Sequence, residues 1–101
     1  MDEAQRAAIY EVVRAIPRGR VMAYGRVGLA AGGIPPRAVG RAMASAEGEA
    51  DLPWQRVVGW DGRLPISQRG PDYADEQRAL LEAEGVVFKN DGRVDMRRCA
   101  G

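Results

Sequence analysis

The chain of 101 residues has no histidine, one cysteine (Cys99) and one lysine (Lys89). With a single thiol no intramolecular disulfide can close. Without histidine no ordinary His/Cys metal cluster can be assembled, which excludes a structural zinc, and no cofactor is expected. No uninterrupted apolar stretch approaches the ~20 residues that span a bilayer. The N-terminus carries Asp2, Glu3 and Arg6 and has no apolar core of signal-peptide length, so a cytoplasmic protein without a membrane partner is expected. The near-absence of lysine makes the basic residues almost all Arg, a type suited to phosphate and base-edge contacts, although genome composition could give the same bias.

A further absence is local. From Val12 to Ala46 there is no Asp or Glu, while Arg14, Arg18, Arg20, Arg26, Arg37 and Arg41 all fall in that span. The acids gather later, at Glu47, Glu49 and Asp51 and again from Asp72 to Glu84. The formal net charge of +1 therefore hides an asymmetry, and one face should attract polyanions while the other keeps the protein soluble. The length allows one small domain, residues 1–101, with a single core.

Apolar periodicity places the elements. Asp2 can cap a helix bearing Ile9, Val12, Val13 and Ile16, ended by Pro17. A turn at Arg18-Gly19 follows, and a short second helix runs from about Tyr24 to Ala31, closed by Gly32-Gly33. Pro35-Pro36 opens a third helix to about Ala46, with Val39, Ala42, Met43 and Ala46 as its apolar face. Two short helices around a Gly-containing turn inside an Arg-rich span form a helix-turn-helix. Beyond Pro53, Val57-Val58 and Leu64 flank Trp60-Asp61-Gly62-Arg63, a hairpin signal, and Pro65 to Pro71 reads as a loop. Asp72 can cap a fourth helix with Ala74, Leu80 and Leu81, stopped at Gly85. Val86-Val87-Phe88, Asn90-Asp91-Gly92, Val94 and Met96 read as a closing hairpin. The expected fold is α+β, a small and mainly helical winged helix-turn-helix with short hairpins.

Four segments carry a resemblance. They are Ile16-Pro17-Arg18-Gly19-Arg20-Val21 with Ala23-Tyr24-Gly25, then Pro36-Arg37-Ala38-Val39-Gly40-Arg41-Ala42-Met43, then Pro53-Trp54-Gln55-Arg56-Val57-Val58, then Glu84-Gly85. In this order and spacing the chain resembles the DNA-binding domain of O6-alkylguanine-DNA alkyltransferases, and specifically the alkyltransferase-like proteins, in which Trp replaces the reactive Cys of Pro-Cys-His-Arg-Val. A thiolate can accept an alkyl group, whereas an indole offers a donor N–H and a flat apolar face. The site should bind and not react.

The resemblance assigns roles residue by residue. Trp54 would wall the pocket that receives a flipped base, where otherwise it is a core aromatic. Gln55 stands where the family has His, which would relay a proton towards the Glu matched by Glu84; nucleophile and base are both missing, while Gln55 can still hydrogen-bond, which leaves a structural link to Glu84 open. Tyr24 matches the Tyr that presses on the phosphate beside the target nucleotide, or else simply packs under the first helix. Arg37 matches the Arg that fills the space of the flipped base, a use suited to a planar guanidinium that stacks and donates; its alternative is a solvated helix charge. Arg69, on the loop after the hairpin, aligns with an Arg that contacts the flipped guanine, and Pro65 is inserted there. Arg18, Arg20, Arg26 and Arg41 form a phosphate-contacting group. The Asn that links recognition helix and active site in many alkyltransferases is absent from Ala44-Ser45-Ala46-Glu47. Cys99 is expected to be a mobile tail residue rather than a displaced alkyl acceptor.

These assignments imply a monomeric, non-enzymatic protein that binds O6-alkylguanine in double-stranded DNA through a minor-groove helix, flips the base into a Trp54-lined pocket and marks it for nucleotide excision repair proteins. Two alternatives stand beside it. One is a sequence-specific helix-turn-helix transcriptional regulator, for which no dimerising heptad is present. The other is an active enzyme using Cys99.

Overall fold

The structure is a computed structural model that describes residues 2–46, 49, 51–64 and 71–100, with the backbone alone at 71–73. The first helix, α1 (Glu3–Arg14), begins at a reciprocal cap in which the Gln5 amide N–H donates to Asp2 and the Asp2 N–H donates back to the Gln5 side chain. Such a box satisfies two donors that a helix start leaves without partners. Ile9, Tyr10 and Val13 on its inner face are buried, as is Ile16 beyond its end. The Tyr10 hydroxyl donates to the Ala42 carbonyl over 2.8 Å in the interior, which pins α1 to the third helix with a bond worth about 1 kcal/mol.

After a turn at Pro17–Arg20, the two-residue strand β1 (Met22–Ala23) leads directly into α2 (Tyr24–Ala30). A Gly32-Gly33 turn and α3 (Pro36–Ala44) follow, with Pro36 in the first helical turn, where a missing N–H costs nothing. The turn between the helices is tight because Gly28 has no side chain. A Cβ there would lie 1.9 Å from the Ile34 carbonyl oxygen, whereas the bare Gly28 carbonyl accepts the Gly33 and Ile34 amides.

The strand β2 (Val57–Val58) runs parallel to β1, with Met22 opposite Val57 and Ala23 opposite Val58. Parallel pairing requires a crossover, and the helix-turn-helix is that crossover. Alternation then divides the interior. Val57 joins a cluster with Ile9, Val13, Val27, Val39 and Met43, while Val58 joins a second with Val21, Leu81, Val86, Val94 and Cys99. The architecture is α+β, as the sequence implies. The strands differ from those expected: Val57 and Val58 are both buried, so they sit in an interior parallel pair and not in a hairpin around Trp60–Arg63. That segment is a tight turn closed by Gly59 N–H to the Arg63 carbonyl at 2.9 Å.

Two boundaries also shift. The fourth helix, α4 (Pro71–Ala83), starts at Pro71, which leaves Asp72 inside its first turn rather than at the cap. The closing hairpin is reduced to a single antiparallel bridge, Phe88 to Val94, and Met96 opens a further short helix, α5 (Met96–Cys99), capped by Asp95. Cys99 is not a mobile tail residue. It is 3% exposed, packs in the second cluster, and accepts the Val87 N–H at 3.4 Å, because the chain end is bound back through the Val21–Ala100 bridge.

Candidate functional site

The acid-free span becomes a surface through α2 and α3. On α3, Val39, Ala42 and Met43 face the first cluster, and this seats the helix. The opposite face carries Arg37, Gly40 and Arg41, spaced at helical i, i+3 and i+4. Both arginines are exposed, and a Cβ added at Gly40 would meet nothing within 4 Å. The outer face of α3 is thus smooth between two cations. Arg26 is exposed on α2, whose first residue, Tyr24, is half-buried against the first cluster.

Trp54 reaches the same cluster from another direction. It opens a single 3-10 turn, Trp54–Arg56, whose entry is set by Asp51 in the left-handed region at φ 62° and by the Trp54 N–H bonding to Leu52. The structure therefore brings Tyr24 and Trp54 to the edge of one apolar cluster, each half-buried.

Under Trp54 the turn is held by a part-buried polar network. Gln55 donates through Nε2 to Glu84 Oε2 at 2.9 Å. Arg56 forks onto both oxygens of Glu84, at 3.0 and 2.9 Å, and donates from Nη1 to the Ile16 carbonyl at 2.8 Å. Gln77 of α4, itself 2% exposed, donates to the Gln55 and Val57 carbonyls. Burial pushes the Glu84 carboxyl up, but the hydrogen bonds from Arg56 and Gln55 and the Arg56 charge outweigh it and hold it below the ordinary carboxylate value. An ionised Glu84 accepts only, so the Gln55 amide must present its NH2 there. The arrangement anchors the turn that carries Trp54 and commits the Gln55 amide to Glu84.

Arg18 and Arg20, two of the expected phosphate contacts, each donate to a backbone carbonyl. Arg18 donates to the Ala83 carbonyl at the end of α4, and Arg20 to the Arg98 carbonyl. Arg69 lies outside the described residues. Arg56 and Gln77 were not anticipated from the sequence. The signal for Gln77 was present in its spacing: Gln77 and Leu81 share one face of α4, with Glu84 just past its end, and a polar residue on a buried face needs partners. Among the described residues no group of three His, Cys, Asp or Glu side chains could hold a metal ion.

Comparison with known proteins gives one consistent answer. The family model for the DNA-binding domain of 6-O-methylguanine DNA methyltransferase matches residues 4–86. A DNA base-flipping protein of Escherichia coli K12 is 41% identical over 93 residues, covering 89% of this chain and 68% of the relative. Alkyltransferase-like protein 1 of Schizosaccharomyces pombe is 37% identical over 89 residues, covering 85% and 79%. The crystal structure of S. pombe Atl1 in complex with damaged DNA containing O6-carboxymethylguanine superposes with a TM-score of 0.84 at 26% identity, over 100% of this chain and 97% of that one.

Proposed function

Because the chain belongs to the family of the 6-O-methylguanine DNA methyltransferase DNA-binding domain, we propose that it recognises O6-alkylguanine in duplex DNA and performs no alkyl transfer. The observation that carries this reading is the pair at the reactive position. Trp54 stands where a nucleophile would act, and the Gln55 amide beside it is committed to Glu84. An indole accepts no alkyl group, and an amide does not serve as a base at neutral pH.

The parts that bind are distributed over two elements and one turn. The α3 face with Arg37 and Arg41 enters the minor groove, where Arg37 fills the space of the displaced base. Tyr24 presses on the adjacent phosphate, and the flipped guanine stacks against Trp54, with Arg69 on its edge. Flipping costs a few kcal/mol, less for a damaged and poorly paired base, so a stacking pocket selects lesions without chemistry. Arg26 and Arg41 meet phosphates, as do Arg18 and Arg20 where the duplex reaches them. A monomer that binds in this way and does not turn over serves as a marker, handing the site to nucleotide excision repair proteins.

The deciding experiment incubates the protein with duplex DNA containing O6-methylguanine and measures both intact protein mass and binding. The expected result is tighter binding than to the matched undamaged duplex, whatever the flanking sequence, with no mass gain. A permanent gain of one methyl group would make the protein an alkyltransferase. Sequence preference without lesion preference would make it a regulator.

A further inference from the structure

Among the described residues, the cations without an ion pair include two groups gathered on distinct parts of the fold. Arg14, Arg56, Arg63, Arg78 and Arg93 are paired with carboxylates. Arg26, Arg37 and Arg41 have no ion pair among the described residues and belong to the helix-turn-helix. Lys89 and Arg97 are likewise without an ion pair among the described residues, but they line a groove of about 440 Å³ between the Gly59–Arg63 turn and α5, together with Trp60, Asp61, Asp95 and Met96. Trp60 is 84% exposed, the most exposed of the large apolar side chains among the described residues.

The carboxylates of this groove are already committed. Asp61 faces Arg93 at 3.6 Å and Arg63 at 3.7 Å and accepts the Arg63 N–H; Asp95 caps α5 by accepting the Arg97 N–H. What the groove offers outward is therefore an indole, a methionine side chain and two cations. Exposed Trp beside cations at a concave surface is the composition of a binding hot spot.

We propose that this groove docks an acidic protein segment bearing one large apolar side chain, which stacks on Trp60 while its carboxylates pair with Lys89 and Arg97. The proposal rests on the reading of the chain as a lesion marker, since a marker needs a surface for its successor. Charge pattern selects a peptide over a nucleic-acid strand. The helix-turn-helix span contains no acid, as a regularly charged phosphate backbone requires, whereas here Asp61 and Asp95 alternate with the cations. A peptide can place its carboxylates at Lys89 and Arg97 only and lay neutral groups beside the two aspartates.

The test pans a random dodecapeptide phage library on the immobilised full chain bound to O6-methylguanine duplex. Selected peptides should be rich in Asp and Glu around an aromatic or leucine. Their affinity should fall about tenfold or more for Trp60→Ala and for the Lys89→Glu, Arg97→Glu double variant. All three side chains are on the surface, and unchanged thermal midpoints establish that the variants are folded. The affinity and salt dependence of lesion binding should be unchanged in the same variants. Peptides that bind Trp60→Ala as well as wild type would overturn the proposal. So would a loss of duplex affinity in the double variant, which would make the groove a DNA contact, or a concentration-dependent dimer that Trp60→Ala abolishes. Absence of lesion preference in the wild-type protein would instead sink the marker reading itself, and is scored separately.

Discussion

Arg56 and Glu84, 28 positions apart in the chain, share two hydrogen bonds of about 3 Å in a setting where their side chains are only 16% and 6% exposed. One oxygen of the same carboxylate also accepts from Gln55, so the turn that carries Trp54 is tied to the end of α4 by a single anion. Removing one partner of a buried pair leaves an uncompensated charge, at a cost of about 3–5 kcal/mol. Arg56→Ala should therefore lower the urea-unfolding free energy by that order. Replacing Arg56 and Glu84 together by Met and Gln should cost clearly less than the sum of the single changes. Strict additivity would show that the two side chains are not coupled.

The same carboxylate sets an acid limit. A carboxyl held below its unfolded value stabilises the fold at pH above that value, and the contribution is lost as pH falls through the folded value. Glu84 is held low by Arg56 and Gln55 against its burial, and Asp91 is pulled to about 2 by its hydrogen bonds from Arg93. Stability should fall as pH drops below the ordinary glutamate value of about 4.3, and less steeply in Glu84→Gln. Between about pH 5.5 and 8 it should be nearly flat, because histidine is the side chain that ordinarily titrates there and the chain has none. A transition near neutrality in chemical denaturation would contradict this.

Much of this arrangement was readable from local rules. Asp2, Pro36 and the Gly32-Gly33 pair mark helix boundaries by chemistry that acts within a turn, and the period of Val39, Ala42 and Met43 gives the buried face of α3 directly. The parallel pairing of Met22-Ala23 with Val57-Val58 was not readable, because two residues carry no periodicity and the partner lies beyond two helices. Cys99 failed for a related reason. Its position near the end suggested a free tail, but burial depends on the Val21–Ala100 bridge, a contact across nearly the whole chain. At the site, the resemblance pointed to Glu84, and Gln55 pairs with it because its amide keeps a donor where the family has His. Arg56 carries no such signal, because nothing local distinguishes an Arg that anchors a turn from one solvated on the surface.

Binding should separate two kinds of arginine. Arg37→Ala should lower the preference for O6-methylguanine duplex over undamaged duplex, because its proposed role exists only when a base is displaced. Arg26→Ala and Arg41→Ala should weaken both duplexes alike, each reducing the logarithmic salt slope by about one. Anisotropy titrations at several salt concentrations check this. A uniform loss of affinity for Arg37→Ala, with the preference intact, would return Arg37 to the phosphate-contacting group.

Trp54→Ala should keep the fold, since Trp54 is half-buried at the cluster edge and the network beneath it runs through Gln55, Arg56 and Glu84. Lesion preference should fall by about the 1–3 kcal/mol that stacking of one base on an aromatic ring contributes. Trp54→Phe should retain most of it, because a phenyl ring stacks but cannot donate. If Phe behaves like Ala, the indole N–H rather than the ring face is what the site uses.

Cys99 provides a chemical check on both the fold and the proposed absence of transfer. Its sulfur is buried against Val21, Leu81 and Val86 and accepts the Val87 N–H, so a thiol reagent must wait for the C-terminal segment to open. Labelling by a disulfide reagent should be slow in the native protein and fast in urea, and Arg20→Ala should accelerate the native rate, because Arg20 holds the Arg98 carbonyl beside it. Cys99→Ser should leave lesion binding unchanged. Rapid native labelling would mean that the chain end is free, and an alkyl group found on Cys99 after exposure to O6-methylguanine DNA would make this thiol, not the residue at position 54, the acceptor.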